Sequence, residues 1–280
     1  MSLSNPLVLS ADAPIGIFDS GVGGLSILHH VRALLPHEHL IYFADSGHAP
    51  YGDKSEQYVV DRSLAIADFL LAQGVKALVV ACNTATVAAI KAVRARYPEL
   101  PVVGVEPGLK PGAAATRSGK IGVLATARTL KGEKFLLLRD QIAGATQAQF
   151  LLQPCVGLVD EIEKGDLQTP AIAAMLERYV APLLEQGADT LVLGCTHYPF
   201  VREGIEQVAR AHSAAPVTLI DTGEAVARQL ARLLEGGSLL RHSGAAPARL
   251  EGFTTADASA LSQAFASLLQ LTPPVRQIVV

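Results

Sequence analysis

The chain has 280 residues, 50% of them hydrophobic, and 23 Lys+Arg against 26 Asp+Glu give a formal charge of −3. That length and apolar content suit one large core or two of roughly 100–150 residues, excluding a disordered or collagen-like chain, and the absence of a basic block argues against nucleic acid as main partner. No apolar run reaches the roughly 18 residues of a membrane helix, residues 1–14 lack the pattern of a signal peptide, and three Cys, an odd number, suggest a reducing compartment, so a cytoplasmic protein with no membrane partner is expected.

Short aliphatic runs predict strands at 15–19, 40–44, 77–81, 102–105, 121–125, 149–152, 190–193 and 217–220. Several are apolar at consecutive positions, as parallel strands covered on both faces require. Amphipathic stretches between them predict helices, for example 55–73, 84–97, 170–186 and 224–234. Strand and helix alternating in this way read as an α/β fold with mainly parallel sheets. The segment 236–247, rich in Gly, Ser and Ala, is the least structured part.

The chain repeats itself. Residues 73–84 (QGVKALVVACNT) resemble 186–197 (QGADTLVLGCTH) in register. Each begins with a helix-ending Gly, continues as a buried strand and delivers a Cys at the carboxyl end of that strand. A weaker echo pairs Ile15-Gly16-Ile17 with Ile121-Gly122-Val123. Two similar α/β halves follow from this. Ligands of such sheets bind outside the carboxyl ends of the strands, so halves facing each other across a cleft would point both Cys into it.

A lone Cys in an apolar run is ordinarily packing, and Cys155 is read that way. Cys82 and Cys195 differ, because polar residues that a core would reject (Asn83-Thr84, Thr196-His197) follow at once. They lack CxxC spacing, which argues against a redox pair or a zinc knuckle. A hydrolase using Cys195 and His197 would need one Cys and leaves the repetition unexplained. Stereoinversion needs two matched groups on opposite faces of one carbon, a thiolate that takes the α-proton and a thiol that returns one. Around the thiols, Asp19-Ser20-Gly21-Val22-Gly23-Gly24 follows the first strand and opens a helix, a place where backbone N–H groups can receive a carboxylate. It is neither a dinucleotide fingerprint, since Ser26 stands at the sixth position, nor a Walker loop. Asn83, Thr84 and Thr196 are candidate donors to carboxylates and Asp19 a candidate partner for an ammonium group. Pro50-Tyr51-Gly52 reads as a turn, the His29-His30 pair as a solvated helix end rather than a metal site, and 160–164 and Arg94/Arg96 as solvated charge.

Six motifs together, FDSGVGGLSIL (18–28), ADSGHAPYG (44–52), ACNTAT (81–86), GVEPG (104–108), GCTHYP (194–199) and LIDTGEAVA (219–227), resemble the cofactor-independent aspartate/glutamate racemase family, nearest its glutamate-specific members. The resemblance implies that Cys82 and Cys195 are the acid/base thiols, each acting on one enantiomer. Asp19-Ser20, Tyr51-Gly52, Asn83-Thr84 and Thr196-His197 match substrate-contact pairs. Asp19 and His197 also match polar groups beside the thiols, and Asp45 and Glu163 match two further acidic positions implicated near the site. Around Glu163 the chain departs from the family pattern, with Asp160-Glu161 in place of an apolar Pro-Leu pair.

By the same resemblance the fold is two pseudo-twofold α/β domains, 1–106 with 219–280 and 107–218, holding a small-molecule substrate between them. Neither pyridoxal phosphate nor metal is implied. The expected activity is interconversion of L- and D-glutamate for peptidoglycan synthesis. Aspartate racemisation stays open at one methylene's difference, the Cys/His hydrolase and a non-catalytic amino-acid-binding module remain as rivals, and a homodimer stays open as an assembly.

Overall fold

Runs such as Ile15–Asp19, apolar at nearly every position, need cover on both faces, and the chain supplies it twice. The structure, a computed structural model, describes residues 9–242 and 247–280. The expectations for residues 1–8 and for 243–246 within the Gly/Ser/Ala-rich segment lie outside the described residues. Six strands, β1 (Ile15–Asp19), β2 (Leu40–Ala44), β3 (Ala77–Val80), β4 (Val102–Gly104), β9 (Leu250–Thr254) and β10 (Val275–Gln277), form one sheet in the order β10-β9-β2-β1-β3-β4. Four more, β5 (Lys120–Ala125), β6 (Gln149–Pro154), β7 (Thr190–Gly194) and β8 (Thr218–Ile220), form a second in the order β6-β5-β7-β8. Every pairing is parallel.

Alternation along each strand decides which core a side chain joins. In β1, Ile15 and Ile17 pack with Leu25, Leu28 and Leu230 on one face, while Phe18 packs with Ile66, Leu70 and Ile90 on the other. In β5, Leu124 joins Leu176, Tyr179 and Leu183, while Ile121 and Val123 join Leu109 and Phe135. Four apolar layers result, two per sheet, and burial on both faces explains the near-continuous hydrophobic runs.

Both echoes have a structural cause. Gly74 (φ +76°) and Gly187 (φ +90°) end the helices Glu56–Ala72 and Pro170–Glu185 in the left-handed region that a side chain disfavours. The Val75 and Ala188 N–H groups then turn back to the carbonyls of Leu70 and Leu183. At Gly122 a methyl group would lie 2.6 Å from Leu191 and 2.8 Å from Leu183, and at Gly16 it would lie 3.2 Å from Leu70 and Val75. The missing side chain lets a helix close on the sheet at the same strand position in each half.

The chain leaves the first sheet after β4, and the helix Leu109–Ala115 already packs on the second, with Leu109 in its core. It returns after β8, since the helix Gly223–Gly236 packs Val226 and Leu230 onto the first sheet. The two crossing segments touch, for a side chain at Gly108 would meet Ile220 Cγ2 at 2.6 Å. β9 and β10 were not among the predicted strands. β9 is Leu-Glu-Gly-Phe-Thr, and β10 is a three-residue edge behind Pro273-Pro274, so neither carries a buried aliphatic run.

Candidate active site

The carboxyl ends of both sheets converge on one cavity of about 160 Å³. That is below the roughly 300–1,000 Å³ of drug-sized sites, so the occupant is a small molecule. Each wall comes from a strand end: Ser20 after β1, Tyr51 and Gly52 after β2, Cys82–Thr84 after β3, Thr126 after β5, Cys155 after β6, and Cys195–His197 after β7.

Strand register makes the two halves correspond. Ile15 pairs with Ala77 and Phe18 with Val80, so Ser20 and Cys82 each stand two residues beyond a matched pair. Ile121 pairs with Thr190 and Ala125 with Gly194, so Thr126 and Cys195 each stand one beyond. Ser20 therefore lies beside Cys82 as Thr126 lies beside Cys195. Thr126 was not singled out from the sequence. The Ile-Gly echo extended three residues beyond Val123 would have found it.

The two thiols have unlike surroundings. Cys82 caps the helix Asn83–Arg96, its sulfur accepting from the Ala85 N–H at 3.4 Å, with Ser20 Oγ at 3.6 Å. Burial and the nearby Asp19 charge push this thiol up to about 12, against the pull of the Ala85 N–H and the Ser20 hydroxyl. Cys195 Sγ lies 3.7 Å from His197 Nδ1, and His197 Nε2 lies 2.6 Å from Glu163 Oε1. Burial alone would lower His197, but its bonds to Cys195 and Glu163 and the Glu163 charge hold it well above the ordinary histidine value. Glu163 is in turn lowered: the His197 bond and charge and the Val22 N–H at 2.9 Å outweigh its burial. One thiol thus sits against a buried carboxylate and a hydroxyl, the other against an imidazolium held by a carboxylate.

Asp19 is fully buried and raised, chiefly by burial. It accepts from the Gly21 N–H at 2.8 Å and from Thr196 Oγ1 at 3.0 Å, so the first half grips the second beside both thiols. The glycines of the DSGVGG turn sit at that seam. A side chain at Gly21 would collide with the Glu163 carboxylate and one at Gly23 with His197 and Thr196. Ser26 Oγ also reaches across, 2.8 Å from the Thr196 carbonyl.

Asn83 is 4% exposed, and neither its Oδ1 nor its Nδ2 has a hydrogen-bond partner among the described residues. A buried amide left unpaired costs free energy, and this one lines the cavity. Thr84 Oγ1 faces Thr126 Oγ1 at 3.4 Å across the two halves. Among the described residues no Lys or Arg lines the cavity; the polar side chains that do include Ser20, Asn83, Thr84, Thr126, Thr196 and His197.

Other expectations fall out differently. Cys155 packs in the core of the second half as expected, yet also forms cavity wall, and burial pushes it up to about 12. Asp160, read as solvated surface, lines the cavity too. His30, read as a solvated helix end, lies 3.5 Å from Asp221 at the return crossing. Asp19, Glu163 and Asp45 all lie outside the cavity lining, Asp19 and Glu163 directly behind it against Thr196 and His197, Asp45 behind Tyr51. No group of three or more His, Cys, Asp or Glu placed to hold a metal ion occurs among the described residues. Nor is any helix among them long and apolar enough to cross a membrane.

Comparison with known proteins agrees with this geometry. The profile of the family described as Asp/Glu/Hydantoin racemase matches residues 25–230. A glutamate racemase of Ectopseudomonas mendocina is 57% identical over 232 residues, 82% of this chain and 85% of that one. The structure of the Francisella tularensis glutamate racemase in complex with D-glutamate superposes with a TM-score of 0.82 at 28% identity, covering 96% of this chain and 98% of that one. The Escherichia coli glutamate racemase, solved with L-glutamate and the activator UDP-MurNAc-ala, gives 0.82 at 33% identity over 95% and 97%. The chain belongs to the Asp/Glu/hydantoin racemase family and, within it, groups with the glutamate racemases.

Proposed function

We propose that the chain interconverts L- and D-glutamate by passing the α-proton between Cys82 and Cys195, and that it supplies D-glutamate for peptidoglycan in the cytoplasm. The observation that carries this reading is the pair of thiols delivered by corresponding strand ends to one small cavity. The substrate is held between the two halves, and the second, read from the sequence as 107–218, runs to the end of β8 at Ile220. One sulfur, as thiolate, takes the proton from Cα, and the opposite sulfur, as thiol, gives its proton to the other face of the carbanion. The enantiomer leaves and the thiols have exchanged protonation states, so the reverse reaction begins from that arrangement. Acid and base are both supplied by the chain.

Removing a proton beside a carboxylate builds negative charge on that carboxylate, and fixed donors must meet it. Asn83, with both amide atoms free, is the first candidate, with Thr84, Thr196, Ser20 and Thr126 around it. The substrate ammonium is drawn toward Asp19, which is fully buried behind the cavity wall and whose charge is otherwise costly there. It brings positive charge toward Cys82 and so opposes what holds that proton on. His197 hydrogen-bonds the Cys195 sulfur and exchanges a proton with it, while Glu163 keeps the imidazole in place. Tyr51 and Gly52 close the wall opposite Thr126.

The test is α-proton exchange in deuterated water with each glutamate enantiomer, followed by NMR and circular dichroism. Wild type should lose optical activity as deuterium enters, and Cys82→Ser and Cys195→Ser should both be crippled. Substantial activity retained by Cys82→Ser would point instead to one-thiol chemistry at Cys195. Faster exchange of aspartate than glutamate would reassign the substrate.

A further inference from the structure

Asp45 is set apart from the other acidic residues of the site. Its two oxygens accept four hydrogen bonds: Oδ2 from the Tyr51 hydroxyl at 2.5 Å and Arg62 Nε at 3.0 Å, and Oδ1 from Arg62 Nη2 at 2.8 Å and Thr255 Oγ1 at 2.9 Å. A carboxylate offers about four lone-pair sites, so none is left to take a proton from a substrate. Two parallel N–H donors from one guanidinium also fix the plane of the carboxylate, which a single ammonium would not.

Arg62 reaches this carboxylate from the helix Glu56–Ala72, and its Nη1 donates to the main-chain oxygen of Val280 at 2.5 Å. Thr255 follows β9 and also accepts from the Gly47 N–H at 3.0 Å. The Arg62–Asp45 pair thus joins a helix and the strands missed in the sequence to the loop that carries Tyr51. Tyr51 is 1% exposed, lines the cavity, and has its hydroxyl committed to Asp45. That loop also carries Gly52, the cavity residue facing Thr126 of the other half.

We propose that Arg62 is a positioning residue: its guanidinium orients Asp45, and Asp45, through the Tyr51 hydroxyl, sets where the Tyr51–Gly52 wall stands against the substrate. The proposal rests on the racemase reading of the cavity, and it gives Asp45 a holding role rather than one in proton transfer. Loosening this wall weakens binding of glutamate along the whole reaction, so KM rises while kcat and its pH profile stay nearly unchanged.

The experiment is a double-mutant cycle of Arg62→Ala and Tyr51→Phe, with racemisation of D-glutamate followed by circular dichroism and thermal melts alongside. Each single variant should raise KM about tenfold, the scale of one lost buried hydrogen bond. The double variant should be within about twofold of the worse single one, because both cut the same chain of contacts. Effects that multiply, or an Arg62→Ala that unfolds more easily but keeps the wild-type KM, would overturn the proposal. A fall in kcat at unchanged KM with an altered pH profile would do the same. Tyr51→Phe keeps the ring packed, and Arg62→Lys replaces Arg62→Ala in the cycle if the alanine variant does not fold. Calorimetric titration with racemic glutamate, whose composition turnover leaves unchanged, reads the same cycle as an apparent dissociation constant. Wild type that binds glutamate but fails to exchange its α-proton therefore strikes the racemase reading alone.

Discussion

At the scale of single residues, the site is built from buried polar groups that the protein itself serves poorly. Asn83 buries an amide with no partner among the described residues, and a buried amide left unpaired costs about 1–3 kcal/mol. Asn83→Ala is therefore expected to lower kcat/KM by roughly 10–100-fold, the worth of a hydrogen bond to a charged group, while the melting temperature holds or rises. Steady-state kinetics and a thermal melt on the same sample decide it, and a large fall in melting temperature would make Asn83 a structural residue. His197 gives a pH-dependent counterpart. Its folded pKa lies well above the value of about 6.5 expected of the unfolded chain. Its contribution to stability is thus fully present below about pH 6.5 and is lost as pH rises through the folded pKa. The stability difference between wild type and His197→Asn, from urea melts across pH, should narrow toward alkaline pH. A difference independent of pH would mean that His197 is not held as a cation.

At the scale of elements, what matters is where a strand stops and what crowds its end. The DSGVGG turn is built of small residues because the other half of the molecule occupies the space that side chains would take. Gly23→Ala drives a methyl group into His197 and Thr196, so the halves must part. It should cost about 1–3 kcal/mol as overpacking does, and activity should fall by more than that stability loss accounts for. Gly144, in the helix Glu133–Thr146, is the contrast, with nothing within 4 Å of an added methyl group. Gly144→Ala should stabilise by about 0.5–1 kcal/mol through helix propensity and leave racemisation alone. Denaturant melts with activity assays on both variants separate seam from surface, and equal behaviour would refute the distinction.

On the scale of the whole molecule, two sheets share one cavity, and polar contacts cross between them beside it. Asp19–Thr196, Val22–Glu163 and Ser26–Thr196 all cross the seam beside the thiols. A substrate lying between the sheets adds contacts to both, so binding should stabilise both halves at once. Racemic glutamate at a hundred times its apparent dissociation constant should add about 2.7 kcal/mol, read as one upward-shifted calorimetric transition. Two transitions of which only one shifts would mean that the ligand belongs to one half. The product ratio is fixed by symmetry: from either enantiomer the reaction should stop at equal amounts, since enantiomers have equal free energy in water.

Buried parallel strands, the two helix-ending glycines and the two cysteines at strand ends were legible in the sequence, because each is a local constraint written in consecutive residues. Repetition made the cysteines stand out, and a repeated turn, strand and thiol carries its meaning without coordinates. β9 and β10 were not legible: β10 is a three-residue edge strand, and β9, between it and β2, breaks its apolar positions with Glu251 and Gly252, so neither shows a continuous aliphatic run. Contacts between segments far apart in the chain were decided only by the tertiary structure. It put Glu163 on His197 and Thr126 opposite Thr84, brought Cys155 to the cavity wall, and set Asp45 behind Tyr51 in the grip of Arg62. Sequence fixes which side chains a strand end delivers. Which of them touch a substrate, and which only hold those that do, depends on how closely the two sheets approach, and that distance is set by packing across the whole seam.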